Sequence, residues 1–569
     1  MILKILKNLR EFVNSNKILS AILGVNLLIH GIGITWGLPN FDSWAIDAVV
    51  PSGVLKGLAK GFSFGFVYHY PMAHLVILAI LILPILIIGA IHALVLHSPS
   101  EIKVLVAKTK TLPPLEQWEL VQTILPIKYY TSAIILIGNI ESLFMSIGIV
   151  YFTYKIVKEI FDEKKALFSA ALLTFNASFN YYSHTANLDV PYIFWGLFAL
   201  YHLVLAVKYN KKENYIYCAI TTVLCFGTKD QGYALFVIPF IIYLIIIPIF
   251  KSRDKSFWQI YKRNFLFFTT FFIVGFIIVE NLILNYSGFI LRIKTMTGEN
   301  TEGYTPYVTS LAGYASLFKD LLPVYIKQIV SLPVAIATLV GILFLFILEK
   351  KDKSFVLSLL PLFSALSFII FFVMVVKRSD HRFILAPSIL LTVYGGYTFA
   401  LLYEKLNKNV FWIIFSPMIL YMLIFAVNVN VNLLLDKRYE VTEWMKENLP
   451  SGTRIEHYED YVYLPQFPEN IREYRIKKDF DNIAQRNPDY IIISSKWYRR
   501  FFKEIDLSIE DGKKISERDL NFKTSQQGDF IRKLFEGNTP YNKKFVFRHT
   551  VPWPFRADYV TEEIVIFGK

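Results

Sequence analysis

The stretch Gly37-Leu38-Pro39-Asn40-Phe41-Asp42-Ser43-Trp44-Ala45-Ile46-Asp47-Ala48-Val49-Val50-Pro51 follows directly on the first long apolar run of the chain. It therefore stands where the chain has just left a membrane, and it carries two carboxylates, Asp42 and Asp47, on either side of Trp44. Ionisable groups at a membrane edge are costly and usually line a polar cavity, so both are functional candidates. The plain alternative for each is local, because Asp also caps helices and closes turns.

Outward from that loop, the composition supports the same reading. The chain has 569 residues, 54% of them hydrophobic. Apolar runs of ~18–20 residues, long enough for a ~30 Å hydrocarbon core, recur along it. The expected fold is an all-α polytopic membrane protein. The 59 Lys and Arg against 45 Asp and Glu would suggest nucleic acid in a soluble chain; here they mark cytoplasmic loops. Cys218 and Cys225 both lie in an apolar segment, so neither a disulfide framework nor a thiolate metal site is supported. The basic segment 1–17 lacks a small-residue cleavage site and reads as a cytoplasmic lead into a retained helix.

Apolar segments fall at about 18–36, 72–98, 130–154, 166–183, 190–207, 215–228, 233–250, 264–285, 323–348, 355–376, 383–403 and 410–435. Basic clusters then set the sides. Lys4, Lys7, Arg10 and Lys17 place the N-terminus inside and 37–70 outside. Lys155 to Lys165, Lys208 to Lys212, Lys251 to Arg263, Lys350 to Lys353, and Lys405 with Lys408 mark further inside loops. Segment 72–98 breaks the alternation. Pro84 at its middle and the following Pro113-Pro114 loop suggest a bent or re-entrant helix on the outer side. About eleven spans remain by the length criterion, which puts everything from Asp436 outside. Residues 1–435 form the membrane domain. Residues 436–569 change character: the runs 453–458, 490–494 and 563–567 read as strands among helices, forming a small soluble α/β domain.

This topology gathers the unusual polar residues on one side. The turns Tyr181-Tyr182-Ser183-His184-Thr185-Ala186-Asn187-Leu188-Asp189-Val190-Pro191, Gly227-Thr228-Lys229-Asp230-Gln231-Gly232 and Lys377-Arg378-Ser379-Asp380-His381-Arg382 all fall at the outer ends. Cations facing a pair of carboxylates suit a site that holds a phosphate beside a base; snorkelling side chains are the bland alternative for 377–382. A hydrogen-bonded reverse turn is the bland alternative for 184–189. Tyr129-Tyr130 and Tyr181-Tyr182 read as interface belt, and Glu141 and Glu280 as the rare midspan charges.

Gly37-Leu38-Pro39 with Trp44-Ala45-Ile46-Asp47, then Tyr68-His69-Tyr70-Pro71, the turns His184 to Pro191 and Gly227 to Gln231, and Arg382-Phe383-Ile384-Leu385 together resemble the GT-C type membrane glycosyltransferases. The likeness is to the protein O-mannosyltransferase and aminoarabinose transferase superfamily, over about residues 18–435. In that family the acidic loop often carries a second acid beside the first; here that position is Ala48, so Asp42 and Asp47 both stay candidates for the base. The resemblance implies a hexosyl- or pentosyltransferase of cell-envelope glycosylation. It would use a polyprenyl-phosphate sugar donor and a glycan, lipid or protein acceptor, with membrane lipid around it and no nucleic acid. It implies no cofactor; a divalent ion at His184 and Asp189 is the alternative, although two ligands are few for a metal site.

The chemistry needs a base for the acceptor hydroxyl and cations where the leaving phosphate gathers charge. Asp47, or else Asp42, is the base. Lys229, Arg382, Arg378 and His381 are the donor-phosphate candidates, and His184, Asn187, Asp189 and Tyr70 the substrate-binding ones. Competing functions are a lipid-linked sugar flippase or secondary transporter, and a non-catalytic subunit of polymer assembly. Transporters place ionisable residues near the midplane, whereas here they collect at the outer ends.

Overall fold

A computed structural model describes residues 10–66, 69–109, 126–297, 305–349, 355–502 and 512–569. Lys4, Lys7, Tyr68, Pro113, Pro114, Lys350, Lys351 and Lys353 lie outside the described residues.

The long apolar runs form helices because a backbone in hydrocarbon must satisfy its own hydrogen bonds. Ala73–Leu96, Ile127–Ile160, Asp189–Tyr209, Lys255–Val279, His381–Lys405 and Lys408–Asn448 are six described helices long and apolar enough to cross a membrane. A seventh span results if Leu311–Val330 and Leu332–Leu348, bent by 111° at their junction, count as one. Lys17–Gly31, Val237–Lys251 and Leu360–Val376 are apolar but shorter. At 1.5 Å per residue a helix of about 15 residues reaches only ~22 Å. The expected eleven spans thus resolve into full-length and short helices. The run at 166–183 divides into Glu163–Thr174 and Ala177–Ser183.

Segment 72–98 differs from expectation in one respect. It is the unbroken helix Ala73–Leu96, which passes through Pro84; the sharp break falls near Ser331 instead. Pro84 sits on an exposed face of the helix. The helix begins beside Gly227 and Val279, at the ends of two spans. It then runs antiparallel to the first half of Ile127–Ile160: His74 faces Glu141 at 3.4 Å, and His92 bonds the Tyr130 hydroxyl at 2.8 Å. Since Gly138 packs on Val50 and Ala186, the helix follows the part of Ile127–Ile160 that extends beyond the turn at 184–189. The re-entrant geometry at Pro84 is not found, and the helix stays with the end of the bundle that carries that turn.

Beyond Leu435 the chain builds a mixed five-stranded sheet. Its strands are β1 (Arg454–His457), β2 (Arg472–Arg475), β3 (Tyr490–Ser494), β4 (Asn542–Arg548) and β5 (Glu563–Gly568), in the order β2-β1-β3-β5-β4. β1 runs parallel to β2 and β3, and β5 antiparallel to β3 and β4. The strand period of two decides which face each Ile of β3 covers. Ile491 and Ile493 join one core with Phe501, Phe530 and Leu534, and Ile492 joins the other with Val441, Met445 and Leu449. β2 and β4 were not visible as strands in the sequence. They are edge strands carrying Arg and Lys, as edges commonly do, and their charges hide the alternation.

Candidate active site

The acidic loop is held by local chemistry first. Gly37 adopts φ +82, and a Cβ there would stand 2.9 Å from the Trp44 ring; only glycine turns the chain so close to an indole. The Asp42 carboxylate accepts from the Ser43 N–H at 2.9 Å, and Thr131 and Ser132 of the long helix donate to the Asn40 carbonyl at 3.0 and 3.1 Å. Asp47 itself has φ +63, an uncommon conformation for a residue with a side chain, and such positions gather at functional sites.

The two neighbouring turns are also set by their own polar residues. Asn187 accepts from the Asp189 N–H at 3.0 Å, starting the helix Asp189–Tyr209. Asp380 accepts from the Arg382 N–H at 3.1 Å, starting the short helical turn His381–Ile384. The loop and the first turn are joined by the Val49 N–H to the Ala186 carbonyl at 2.9 Å and by Asn187 to the Ile46 carbonyl at 3.3 Å.

Tertiary structure then brings four distant stretches together. Arg382 pairs with Asp47. Lys229 pairs with Asp189 at 2.6 Å, with 5% and 0% of the side chains exposed, and its ammonium lies 5.9 Å from the Tyr70 ring and 5.8 Å from the Tyr192 ring. Tyr182 hydrogen-bonds His381 at 3.1 Å, and the two rings stack. Burial works to raise the Asp47 carboxyl, but Arg382, and then Lys229 and Arg378, outweigh it and hold the group below its ordinary value of 3.8. Asp42 moves the other way: burial raises it, the Ser43 N–H opposes, and Asp460 adds to the rise. Asp47 thus faces Arg382, Lys229 and Arg378, whereas the cation acting on Asp42 is Lys56.

Around this cluster the buried Asp189 Oδ2 and Arg382 Nε have no hydrogen-bond partner among the described residues. Buried polar atoms without partners are rare, and each is a point at which a ligand or water can bond.

Other expected residues take different positions. His184 is fully enclosed, and its two ring nitrogens face the carbonyls of Asn180 and Ile32 at 2.7 and 2.6 Å. It therefore ties the turn to the first helix, and with Asp189 on Lys229 the two residues do not converge on a common point. Among the described residues no three His, Cys, Asp or Glu side chains group to hold a metal ion. Arg378 leans over the Phe383 ring at 5.1 Å on the side facing the C-terminal domain. Tyr181 and Tyr182 are buried rather than belt residues, because Tyr559 and His381 stack on them. Glu280 stands just past the end of Lys255–Val279, not at midspan. There it pairs with Arg292, which also reaches Asp230 at 3.3 Å.

A clamp on the acidic loop comes from residues that the sequence does not single out. Arg438 pairs with Asp436 at 2.6 Å and lies 4.0 Å from the Trp44 ring and 5.2 Å from that of Trp36. Trp36 donates to Asp436 at 3.0 Å, and Tyr439 accepts from the Gly37 N–H at 2.7 Å. The available signal was Asp436-Lys437-Arg438-Tyr439, a charged cluster directly after the last apolar run.

Comparison with known proteins adds to this picture. A family model described as dolichyl-phosphate-mannose-protein mannosyltransferase matches residues 126–276. Among solved structures, an oligosaccharyltransferase of Archaeoglobus fulgidus crystallised with Zn and sulfate is 13% identical, covering 86% of this chain and 70% of its own, with a TM-score of 0.45. ArnT from Cupriavidus metallidurans bound to undecaprenyl phosphate is 12% identical, covering 70% of this chain and 86% of its own, with a TM-score of 0.39. Among curated proteins there is no match. The matched segment runs from the long helix that anchors the acidic loop, through the turn at Asp189 and the turn at Lys229, to the span ending at Val279. Over that segment the chain is similar to the dolichyl-phosphate-mannose-protein mannosyltransferase family, the GT-C type kinship that its short motifs resemble.

Proposed function

We propose that the protein is an integral membrane glycosyltransferase of the GT-C type, inverting at the transferred sugar, with a polyprenyl-phosphate-linked donor. The site lies on the outer face of a cell membrane, with the N-terminus cytoplasmic and the domain from 436 to 569 outside. The observation that carries this reading is the Asp47–Arg382 pair set beside the buried Lys229. A carboxylate and two cations from separate turns meet at one end of an apolar bundle, where a lipid tail stays in hydrocarbon while its headgroup reaches polar groups. The family description, which names a dolichyl-phosphate sugar, supports such a donor.

In this reading the acceptor hydroxyl oxygen attacks the anomeric carbon while its proton passes to Asp47. The bond from that carbon to the phosphate oxygen breaks, and the electron pair leaves with the polyprenyl phosphate. Lys229 and Arg382 stabilise the charge gathering there, which preorganised cations do without reorganisation. Arg382 links the two halves. In the resting site it holds Asp47 as a weakly basic carboxylate; an arriving phosphate competes for the guanidinium and raises the basicity of Asp47 as the donor binds. Asn187 and Tyr70 flank the sugar, and Asp189 holds Lys229 in place.

The test is donor binding by the purified protein in detergent. Lys229→Ala and Arg382→Ala should each weaken binding of a polyprenyl-phosphate sugar, and Arg382→Lys should not restore it, since the fork geometry is lost. Unchanged affinity in both alanine variants would overturn the assignment.

A further inference from the structure

The apolar run of the last span closes on Asn428-Val429-Asn430-Val431-Asn432. Amides at the end of a span need partners, because hydrocarbon offers none. Residues four or seven apart share one side of a helix, whereas residues two apart do not. Asn430 accordingly turns into the bundle, where it accepts from Asn180 at 2.7 Å and donates to the Ile29 carbonyl at 2.6 Å. Asn428 and Asn432 turn the other way. Theirs is the side that carries Ile414 and Tyr421, which repeat at the same interval as Tyr421 and Asn428. Both side chains are exposed on a spanning helix, so this side faces lipid.

Asn428 and Asn432 are nonetheless buried, because the loop from β4 to β5 of the soluble domain covers them. The Arg556 N–H donates to Asn428 Oδ1 at 2.8 Å, and the Asp558 N–H to Asn432 Oδ1 at 2.8 Å. Asn432 Nδ2 donates to the Arg556 carbonyl at 2.8 Å, and His549 Nε2 meets Asn432 Oδ1 at 2.8 Å. Both ends of 549–558 are thereby pinned to the lipid side of the span. Between the pins the chain reverses at Pro552-Trp553-Pro554-Phe555, closed by the Phe555 N–H on the Pro552 carbonyl at 3.0 Å. Trp553 is 92% exposed there, although Trp is highly buried on average. Among the described residues it has no ring, cation or hydrogen-bond partner.

Height decides what this indole meets. The helix runs from Lys408 at one membrane edge to Asn428 in about 30 Å, the depth of a hydrocarbon core. The loop therefore lies where headgroups meet acyl chains, the layer in which Trp and Tyr gather. Trp412, also exposed, holds the matching position at the other end of the same span. Beside the tip, Arg556 donates to the Lys327 carbonyl at 3.2 Å and keeps more than half its side chain exposed, as a cation reaching for headgroups does.

We propose that the turn 552–555 inserts Trp553 into the interfacial layer of the bilayer and seats the soluble domain on the membrane. The proposal goes beyond the transfer reaction and rests on none of its residues. The same loop continues to Tyr559, which stacks on Tyr181 and donates to the Gln328 carbonyl at 2.8 Å. The anchor thus fixes the height of a segment that lies against the candidate active site.

The test places an environment-sensitive fluorophore on Trp553→Cys of the full-length protein in vesicles of phosphatidylcholine and phosphatidylglycerol. Asn538→Cys, exposed before the far end of β4, is the control. The unaltered protein, with Cys218 and Cys225 buried, gives the background. Emission should shift to the blue at position 553 and not at 538. A nitroxide near the lipid headgroup should quench it more than one near the chain end. Equal emission at the two positions would overturn the anchor. A blue shift without nitroxide quenching would mean that a protein surface covers Trp553, and would overturn the lipid assignment. Stronger quenching from the chain end would overturn the interfacial depth.

Discussion

Two carboxylates of the site differ in burial, and their amide variants should fail in opposite ways. Asp47 and its partner Arg382 keep 39% and 20% of their side-chain surface. A pair that exposed contributes about 1 kcal/mol or less, so Asp47→Asn should melt close to the unaltered protein. As the general base its removal should still cost roughly two to four orders of magnitude in rate, because Asn keeps the shape but cannot take the acceptor proton. Asp189 and Lys229 are 0% and 5% exposed at 2.6 Å. Breaking such a pair leaves a buried unpaired charge at about 3–5 kcal/mol, so Asp189→Asn should first lower stability. Consumption of a polyprenyl-phosphate sugar by membranes carrying each variant, with thermal denaturation of the purified proteins, gives both coordinates. Asp47→Asn with activity within about tenfold of normal would refute the base assignment. Asp42→Asn losing more activity than Asp47→Asn would move the role to Asp42.

Three further outcomes follow from the same geometry. Because Asp47 is held below 3.8, its carboxylate persists until the pH falls through that lowered value; the acid limb of kcat/KM should lie below about pH 4, and Arg382→Gln should shift it upward, as a pH–rate profile would show. Arg438→Ala should destabilise by about 3–5 kcal/mol by stranding the buried Asp436 and should lower kcat by loosening Trp44; a normal melting curve would refute the clamp. In Gly227→Ala the new methyl would stand 2.6 Å from Val279 and 2.9 Å from Ala73. Overpacking of this kind costs typically ~1–3 kcal/mol, and unchanged melting would mean that the helix Ala73–Leu96 does not press on that span.

The sequence by itself determined the fold class and the grouping of the unusual polar residues in the turns between spans. Apolar run length and helix formation in hydrocarbon are local properties, so the spans from Ile127–Ile160 to Lys408–Asn448 were legible from composition alone. The turns at Asn187 and Asp380 were legible for the same reason, since Asx side chains fold their own backbone. So were β1, β3 and β5, whose apolar runs stand out between turns. Pairing across the chain was not. Nothing local tells Asp47 from Asp42; only packing pairs Asp47 with a guanidinium 335 positions away. The contact of the His184 ring with the carbonyl of Ile32, just past the first helix, is likewise set only by packing. Tyr182 reads as belt in the sequence, and only packing places His381 over it. Hydrophobic periodicity and turn chemistry act between near neighbours and are written in order along the chain. Charge pairing and desolvation depend on which surfaces meet, and that is decided only when the elements pack.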